Sequence, residues 1–153
     1  IHYTIITKGN PSEEILYQID DLGISNNIHL KSFYEQDDIY QEIVNSDCLL
    51  LPSVEEGIAN VVIESMGLGT PVISSDCGGM AEVIRNEENG FLYRSRELEE
   101  LIDRMRIVIN LSEKDRVLII NKAKSDIRNK FSMNKLGTKM EQLYLNVLKN
   151  EFN

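Results

Sequence analysis

Cysteine is scarce in this chain: Cys48 and Cys77 are the two present among 153 residues. They form no Cys-x-x-Cys pair and no Cys/His spacing, so the sequence offers no metal motif. Each adjoins an apolar, strand-like run, "DCLLL" and "VISSDC". Both therefore read as buried or loop-end thiols in a reducing compartment. Histidine is equally scarce. His2 and His29 lie in or beside strand-like segments without acidic or nucleophilic company, and read as structural. Positive charge is also short, with 16 Lys and Arg against 25 Asp and Glu and a formal net charge of -9. That balance argues against a nucleic-acid partner, whose phosphates demand a basic face. It equally argues against a polybasic membrane patch. A small anionic ligand stays open, because a few local donors suffice for one phosphate. No signal peptide, long apolar span, low-complexity tract or internal repeat is visible, and the expected setting is the cytoplasm. The chain opens at Ile1 directly on a strand pattern, as expected of a piece of something longer.

What is present is enough for one ordinary domain. A hydrophobic content of 42% over 153 residues buries a real core and argues against disorder. Residues 1–153 are read as a single domain. "HYTIIT" (2–7) is a short β-branched strand. Ser12 or Asn10 caps the next helix, Glu13 and Glu14 favour its first turn, and Gly23 ends it. Its expected inward face is Ile15, Leu16, Ile19 and Leu22. A strand over 27–33 follows, then a short amphipathic helix in "QDDIYQEIVNSD" with Ile39, Ile43 and Val44 inward. "CLLLP" (48–52) is a continuous apolar run, as for a strand covered on both faces. A helix from about Ile58 to Leu68 ends on Gly69, and strand "PVISS" follows. "DCGG" turns into the short helix "MAEVI", and "NEENG" turns into the strand "GFLY". Helices over 96–110, 113–129 and 132–150 complete the pattern, the last with an apolar stripe suited to core or a domain interface.

Strands alternating with helices imply a Rossmann-like parallel α/β sheet with helices on both faces. Such sheets bind ligands at the carboxyl ends of their strands. The loops "TKGNPS", "SFYEQD", "PSVEEG" and "SDCGG" all belong to that edge. In "EEGIAN", Gly57 leaves room for close approach to the backbone. The amides of roughly Ile58 to Val61 (Ile58, Ala59, Asn60, Val61) are the open donors of a helix start, a site that suits a phosphate. Glu56 precedes that site and Glu64 lies inside the helix, sharing a face with Asn60. Taken alone, Glu56 reads as a helix-terminus acid and Glu64 as a solvated helix residue. A carboxylate beside a phosphate site repels its ligand unless it has another task, and accepting two hydrogen bonds from a sugar diol is one. Acids on both sides of a phosphate site match a nucleotide sugar: ribose, diphosphate, sugar.

"LPSVEEGIANVVIESMGLGTPVISSDCGGMAEVIRNEENGFLY" resembles the donor-site core of family 4 of the glycosyltransferases (glycosyl transferases group 1). The shared pattern is Pro-Ser, Glu-Gly, a Glu after seven intervening residues, Gly-x-Pro-Val, Gly-Gly and a closing Asn-Gly. The later "FSMNKLGTKMEQLY" resembles the family's last helix. The resemblance implies the GT-B fold, two Rossmann-like domains facing a cleft, with this chain as the C-terminal, donor-binding one. It implies retaining transfer of a sugar from a nucleotide-diphosphate sugar, without a metal or other cofactor. Glu56 would contact the transferred sugar as the catalytic residue, Glu64 would hold the ribose diol, and the backbone from Gly57 to Val61 would face sugar and diphosphate. Lys8, Gly9, Ser32 and Phe33 stand where phosphate or base contacts would lie. A solvated loop lysine is the plainer reading of Lys8, and loop-edge packing that of Tyr34.

The chain departs from the family in two turns. The glycine-rich turn after the first strand has one glycine, Gly9, and Ser32 replaces a glycine after the second. The family's Arg and Lys on the diphosphate would lie in a segment upstream of Ile1, as would the acceptor domain. That domain is the expected partner of this one and the route of any membrane association. The isolated chain is therefore expected to bind donors weakly and to be inactive alone. Gly78 and Gly79 read as a tight turn first and a ligand approach second, and Glu82 as a local cap. Two other readings compete: a free-standing nucleotide-sugar-binding or interaction module, and a sugar-nucleotide epimerase of the same fold.

Overall fold

The computed structural model describes residues 1–7, 9–32, 35–131 and 133–151. Five strands and seven α-helices follow one another in the order expected of an α/β chain. They divide into two compact units, Ile1–Gln41 and Glu42–Asn153. The strands form two hydrogen-bonded parallel sheets, one of two strands and one of three.

In the first unit, β1 (Tyr3–Thr7) pairs in parallel with β2 (Ile28–Ser32), Tyr3 opposite Ile28 and Thr7 opposite Ser32. Helix α1 (Glu13–Asp21) crosses between them. Its N-cap is Ser12, whose hydroxyl accepts from the Ile15 amide at 3.4 Å. Gly23, at φ 65°, reverses the chain beyond it. The inward face expected for α1 is corrected: Ile15, Leu16 and Leu22 are exposed and Ile19 is half-buried. A two-stranded sheet offers one short helix too little surface to cover a four-residue stripe. Helix α2 spans Gln36–Val44; Ile43 is buried, whereas Val44 is exposed, against expectation. Val44 is the last residue of the helix.

The second unit holds the core. Strands β3 (Leu49–Leu51), β4 (Val72–Asp76) and β5 (Phe91–Arg94) run parallel in the order β3-β4-β5. β4 is central and buried over its first four residues, whereas β3, at one end of the order, is half-buried throughout. Successive side chains of β4 feed opposite faces of the sheet. Val72 joins Ala59, Val62, Met66, Met80, Val83, Ile84 and Ala123 on one side. Ile73 joins Phe91, Tyr93, Val108 and Ile119 on the other. Helices α3 (Asn60–Leu68), α4 (Met80–Val83) and α5 (Leu98–Ile109) supply most of these contacts, with α6 (Glu113–Lys130) contributing to both. Gly69 closes α3 in the left-handed region at φ 101°, as expected of a glycine C-cap. In α5, Leu98 and Ile109 are exposed at the two helix ends, and the packed stripe runs through Leu101, Met105 and Val108. Helix α7 (Met133–Glu151) presents Met140, Leu143, Tyr144, Val147 and Leu148 largely to solvent. Among the described residues, no helix is long and apolar enough to cross a membrane.

Candidate functional site

The site is built where β3 and β4 release the chain at their carboxyl ends. After Leu51 the backbone runs through Pro52 to Ala59 without regular structure, then enters α3. The helix starts two residues later than the sequence suggests. Ala59 is the N-cap, in extended geometry at φ -70° and ψ 124°. Ile58 and Ala59 thus belong to the turn. Ile58 is half-buried and Ala59 buried, and both join the core below. The Val62 amide turns back on the Ala59 carbonyl at 3.1 Å, and the Asn60 and Val61 amides have no backbone acceptor among the described residues.

That N-terminus differs from those of α1 and α6. Serines cap both of these, Ser12 and Ser112. Alanine caps α3, with no side-chain hydrogen bond. Replacing a polar N-cap by alanine costs a helix about 1 kcal/mol. Helices α4 and α5 also start without a side-chain cap, at Gly79 and Glu97. At α3 the two open N–H groups and the positive end of the helix dipole can attract an anion.

Gly57 supports the same conclusion. It does not occupy the left-handed region, and a Cβ built there would meet nothing within 4 Å. Neither backbone strain nor packing requires glycine at 57. What a side chain would occupy is open space directly above the turn. Glu56 and Glu55 are exposed beside it. Glu64 is half-buried one turn into α3 and shares a helix face with exposed Asn60. Val62, Ser65 and Met66 take the opposite, buried face. The structure thus brings Glu56, Gly57, Ile58, Ala59, Asn60, Val61 and Glu64 into one turn and the first two turns of one helix.

The turn rests on a second loop. Beyond β4, the Gly79 amide donates to the Gly57 carbonyl at 3.0 Å. The Ser75 hydroxyl donates to the Ser53 carbonyl. Gly78 sits at φ 55°, and a Cβ there would collide with the Glu56 carbonyl group. A Cβ on Gly79 would stand 2.7 Å from Ile58 Cγ1. The glycine pair therefore allows close approach of backbone to backbone. Ser75 carries no sequence signal for this role; it reads there only as the end of a strand.

The remaining candidates lie in the first unit or beyond description. Gly9, at φ 108°, follows β1 and accepts at its carbonyl from the Thr7 hydroxyl at 2.8 Å. Ser32 ends β2. Both mark the carboxyl edge of the two-stranded sheet. Lys8, Phe33 and Tyr34 lie outside the described residues. His2 and His29 stack on each other with ring centroids 5.6 Å apart. Cys48 and Cys77 are both free and half-buried. Burial pushes the Cys48 thiol up to about 12, outweighing the lowering by the Ile73 backbone and Arg116, so it stays protonated and unreactive at neutral pH. No group of three or more His, Cys, Asp or Glu able to hold a metal occurs among the described residues.

Comparison with known proteins follows this geometry. Residues 1–125 match the family model described as "Glycosyl transferases group 1". Over 135 residues the chain is 29% identical to the protein named uncharacterized glycosyltransferase MJ1607 of Methanocaldococcus jannaschii, covering 86% of this chain and 33% of that protein. It is 26% identical over 152 residues to the Escherichia coli UDP-Gal:alpha-D-GlcNAc-diphosphoundecaprenol alpha-1,3-galactosyltransferase, covering 97% of this chain and 38% of that protein. Among solved structures it superposes on Anabaena Alr3699/HepE in complex with UDP with a TM-score of 0.81 and 25% identity. That match covers 88% of this chain and 36% of HepE. The chain thus spans about a third of the length of the relatives it matches. Its parallel α/β architecture is that of GT-B glycosyltransferases. With four-fifths of its residues inside the family model and the Glu-Gly turn at the expected strand end, the chain belongs to the glycosyl transferases group 1 family.

Proposed function

We propose that this chain is the donor-binding domain of a retaining glycosyltransferase, whose acceptor domain is a separate part of the same protein. The observation that carries the reading is the uncapped start of α3 under an unfilled glycine. The Asn60 and Val61 amides and the open space at Gly57 suit a diphosphate, with Glu56 on one side and Glu64 on the other. Glu64 accepts from the ribose diol. Glu56 accepts from hydroxyls of the sugar being transferred.

In the reaction the bond from the anomeric carbon to the diphosphate oxygen breaks, and its electron pair leaves with the nucleoside diphosphate. A bond forms from the same carbon to the acceptor oxygen, on the same face, and the acceptor hydroxyl passes its proton to the departing diphosphate oxygen. Positive charge grows on the sugar ring as the old bond breaks. A carboxylate facing that ring is therefore more stabilising in the transition state than in the ground state, which is the condition for catalysis. The chain's net charge of -9 opposes a dianionic diphosphate, so cationic side chains from elsewhere in the whole protein complete the site. A UDP-bound relative at 25% identity supports a nucleotide-sugar donor. The two free, half-buried cysteines fit a reducing, cytoplasmic setting.

The test uses the whole protein. Uridine, guanosine and adenosine diphosphate sugars are screened for binding and for nucleotide release. Glu56→Gln is then compared with wild type on the donor found. A turnover loss of about a hundredfold or more is expected, with nearly unchanged affinity for the bare nucleotide. Absence of any donor in the screen, or equal loss of nucleotide affinity, would overturn the reading.

A further inference from the structure

We infer that Ser75 and the Gly78–Gly79 turn are positioning residues that fix Glu56 for sugar transfer, an inference that rests on the role proposed for Glu56. The loop from Ser53 to Gly57 has no secondary structure of its own. It is fastened at both ends, to the carboxyl end of β4 and to the turn after it. At its start the Ser53 carbonyl accepts from the Ser75 hydroxyl, and at its end the Gly57 carbonyl accepts from the Gly79 amide at 3.0 Å. The two fastened carbonyls are four residues apart on one loop, and their donors are four residues apart on the other. Val54, Glu55 and Glu56 span the gap between them and are exposed.

Burial makes the platform rigid where the loop is not. Ser75 is 1% exposed and lies on the central strand, and Met80, directly after the glycine pair, is fully buried. The exposed carboxylate thus takes its place from buried groups on a neighbouring strand end. Gly78 completes the fit. Its left-handed φ of 55° disfavours side chains, and the Glu56 carbonyl occupies the space a Cβ would need. A methyl group at 78 would push the Glu56 peptide outward. Displacement of a catalytic group by about 1 Å costs roughly a hundredfold in rate. Ser75 Oγ also contacts Cys77 Sγ at 3.3 Å, and loss of its neutral hydrogen bond to Ser53 is milder, about two- to tenfold. Both residues meet the backbone of the loop that carries Glu56, so both act on turnover through Glu56.

The experiment is a double-mutant cycle on the whole protein, with the donor found in the screen above. Ser75→Ala, Gly78→Ala, Glu56→Gln and the two doubles with Glu56→Gln are compared for kcat and for nucleotide affinity. Expected are a kcat drop of about two- to tenfold for Ser75→Ala and roughly a hundredfold for Gly78→Ala. Nucleotide affinity should change less than about twofold, and both defects should vanish in the Glu56→Gln background. Should Gly78→Ala fail to fold, Ser75→Ala decides alone. Defects that persist in the Glu56→Gln background, or that fall equally on nucleotide affinity, would overturn the positioning role while leaving the donor-site reading intact. Normal turnover in Glu56→Gln would remove the donor-site role of Glu56, and this inference with it.

Discussion

Replacing Asn89 by alanine should destabilise the second unit far more than a turn residue ordinarily allows. Asn89 is 1% exposed. Its Oδ1 accepts from the Arg85 amide at 2.7 Å. Its Nδ2 donates to the Val83 carbonyl at 3.2 Å and to Asp126 Oδ2 at 3.0 Å. Asp126 in turn receives the Arg85 guanidinium and lies 3.5 Å from Lys122 Nζ. One amide therefore joins the end of α4, the entry to β5 and α6. Three hydrogen bonds at about 1 kcal/mol each give roughly 3 kcal/mol. The buried Val83 carbonyl and the half-buried Arg85 amide left without partners raise the loss to about 4 kcal/mol. Against a domain stability of about 5–15 kcal/mol that is a large fraction. Urea unfolding followed by circular dichroism reads it directly. With a slope of about 2 kcal/mol/M the midpoint should fall by roughly 2 M. Asn89→Asp sharpens the test. It keeps the acceptor but turns a carboxylate oxygen toward Asp126, so burial and like charge raise its folded-state pKa above the usual 4 or so. The unfolded chain then gives up that proton at lower pH than the folded one. The deficit of Asn89→Asp should be smallest in acid and should grow as pH rises from about 4 toward neutrality. A midpoint shift under about 0.5 M for Asn89→Ala, or a pH-independent Asn89→Asp, would refute the network account.

Two further predictions address the site and the core. In the whole protein, Glu64→Ala should weaken nucleoside diphosphate binding roughly tenfold to a few hundredfold, since a hydrogen bond to a charged group is worth about 1.5–3 kcal/mol; titration calorimetry showing unchanged affinity would leave Glu64 as a helix residue only. Cys48 keeps its proton in the folded chain up to about 12, whereas an ordinary thiol loses it near 8.5 or so. Between those values the unfolded state binds fewer protons, so stability falls as pH rises from about 9. Cys48→Ala should flatten that fall relative to wild type, and identical slopes in the two proteins would assign the pH dependence to other groups.

Much of this molecule is written locally. Alternating apolar runs and helical stripes determine the βα order, and Ser12 and Gly69 mark helix ends because capping depends on a few neighbouring atoms. The chemistry of "EEGIAN" is equally local. A glycine, a helix start and two carboxylates lie within nine residues, so their meeting needs only one turn and one helix. Tertiary structure decided the rest. Which apolar residues of α1 and α2 are covered depends on what packs over them, and so Ile15, Leu16 and Val44 remain exposed despite their spacing. The start of α3 moved to Asn60 because Ala59 stays extended, its side chain buried in the core, and no polar cap marks the boundary. Ser75, Gly78 and Asn89 acquire their roles from partners 22, 22 and 37 residues away in sequence: Ser53, Glu56 and Asp126. A local pattern reports which conformation a residue favours. It does not report which distant carbonyl or carboxylate will stand against that residue, because the folding of the whole sheet brings those groups together.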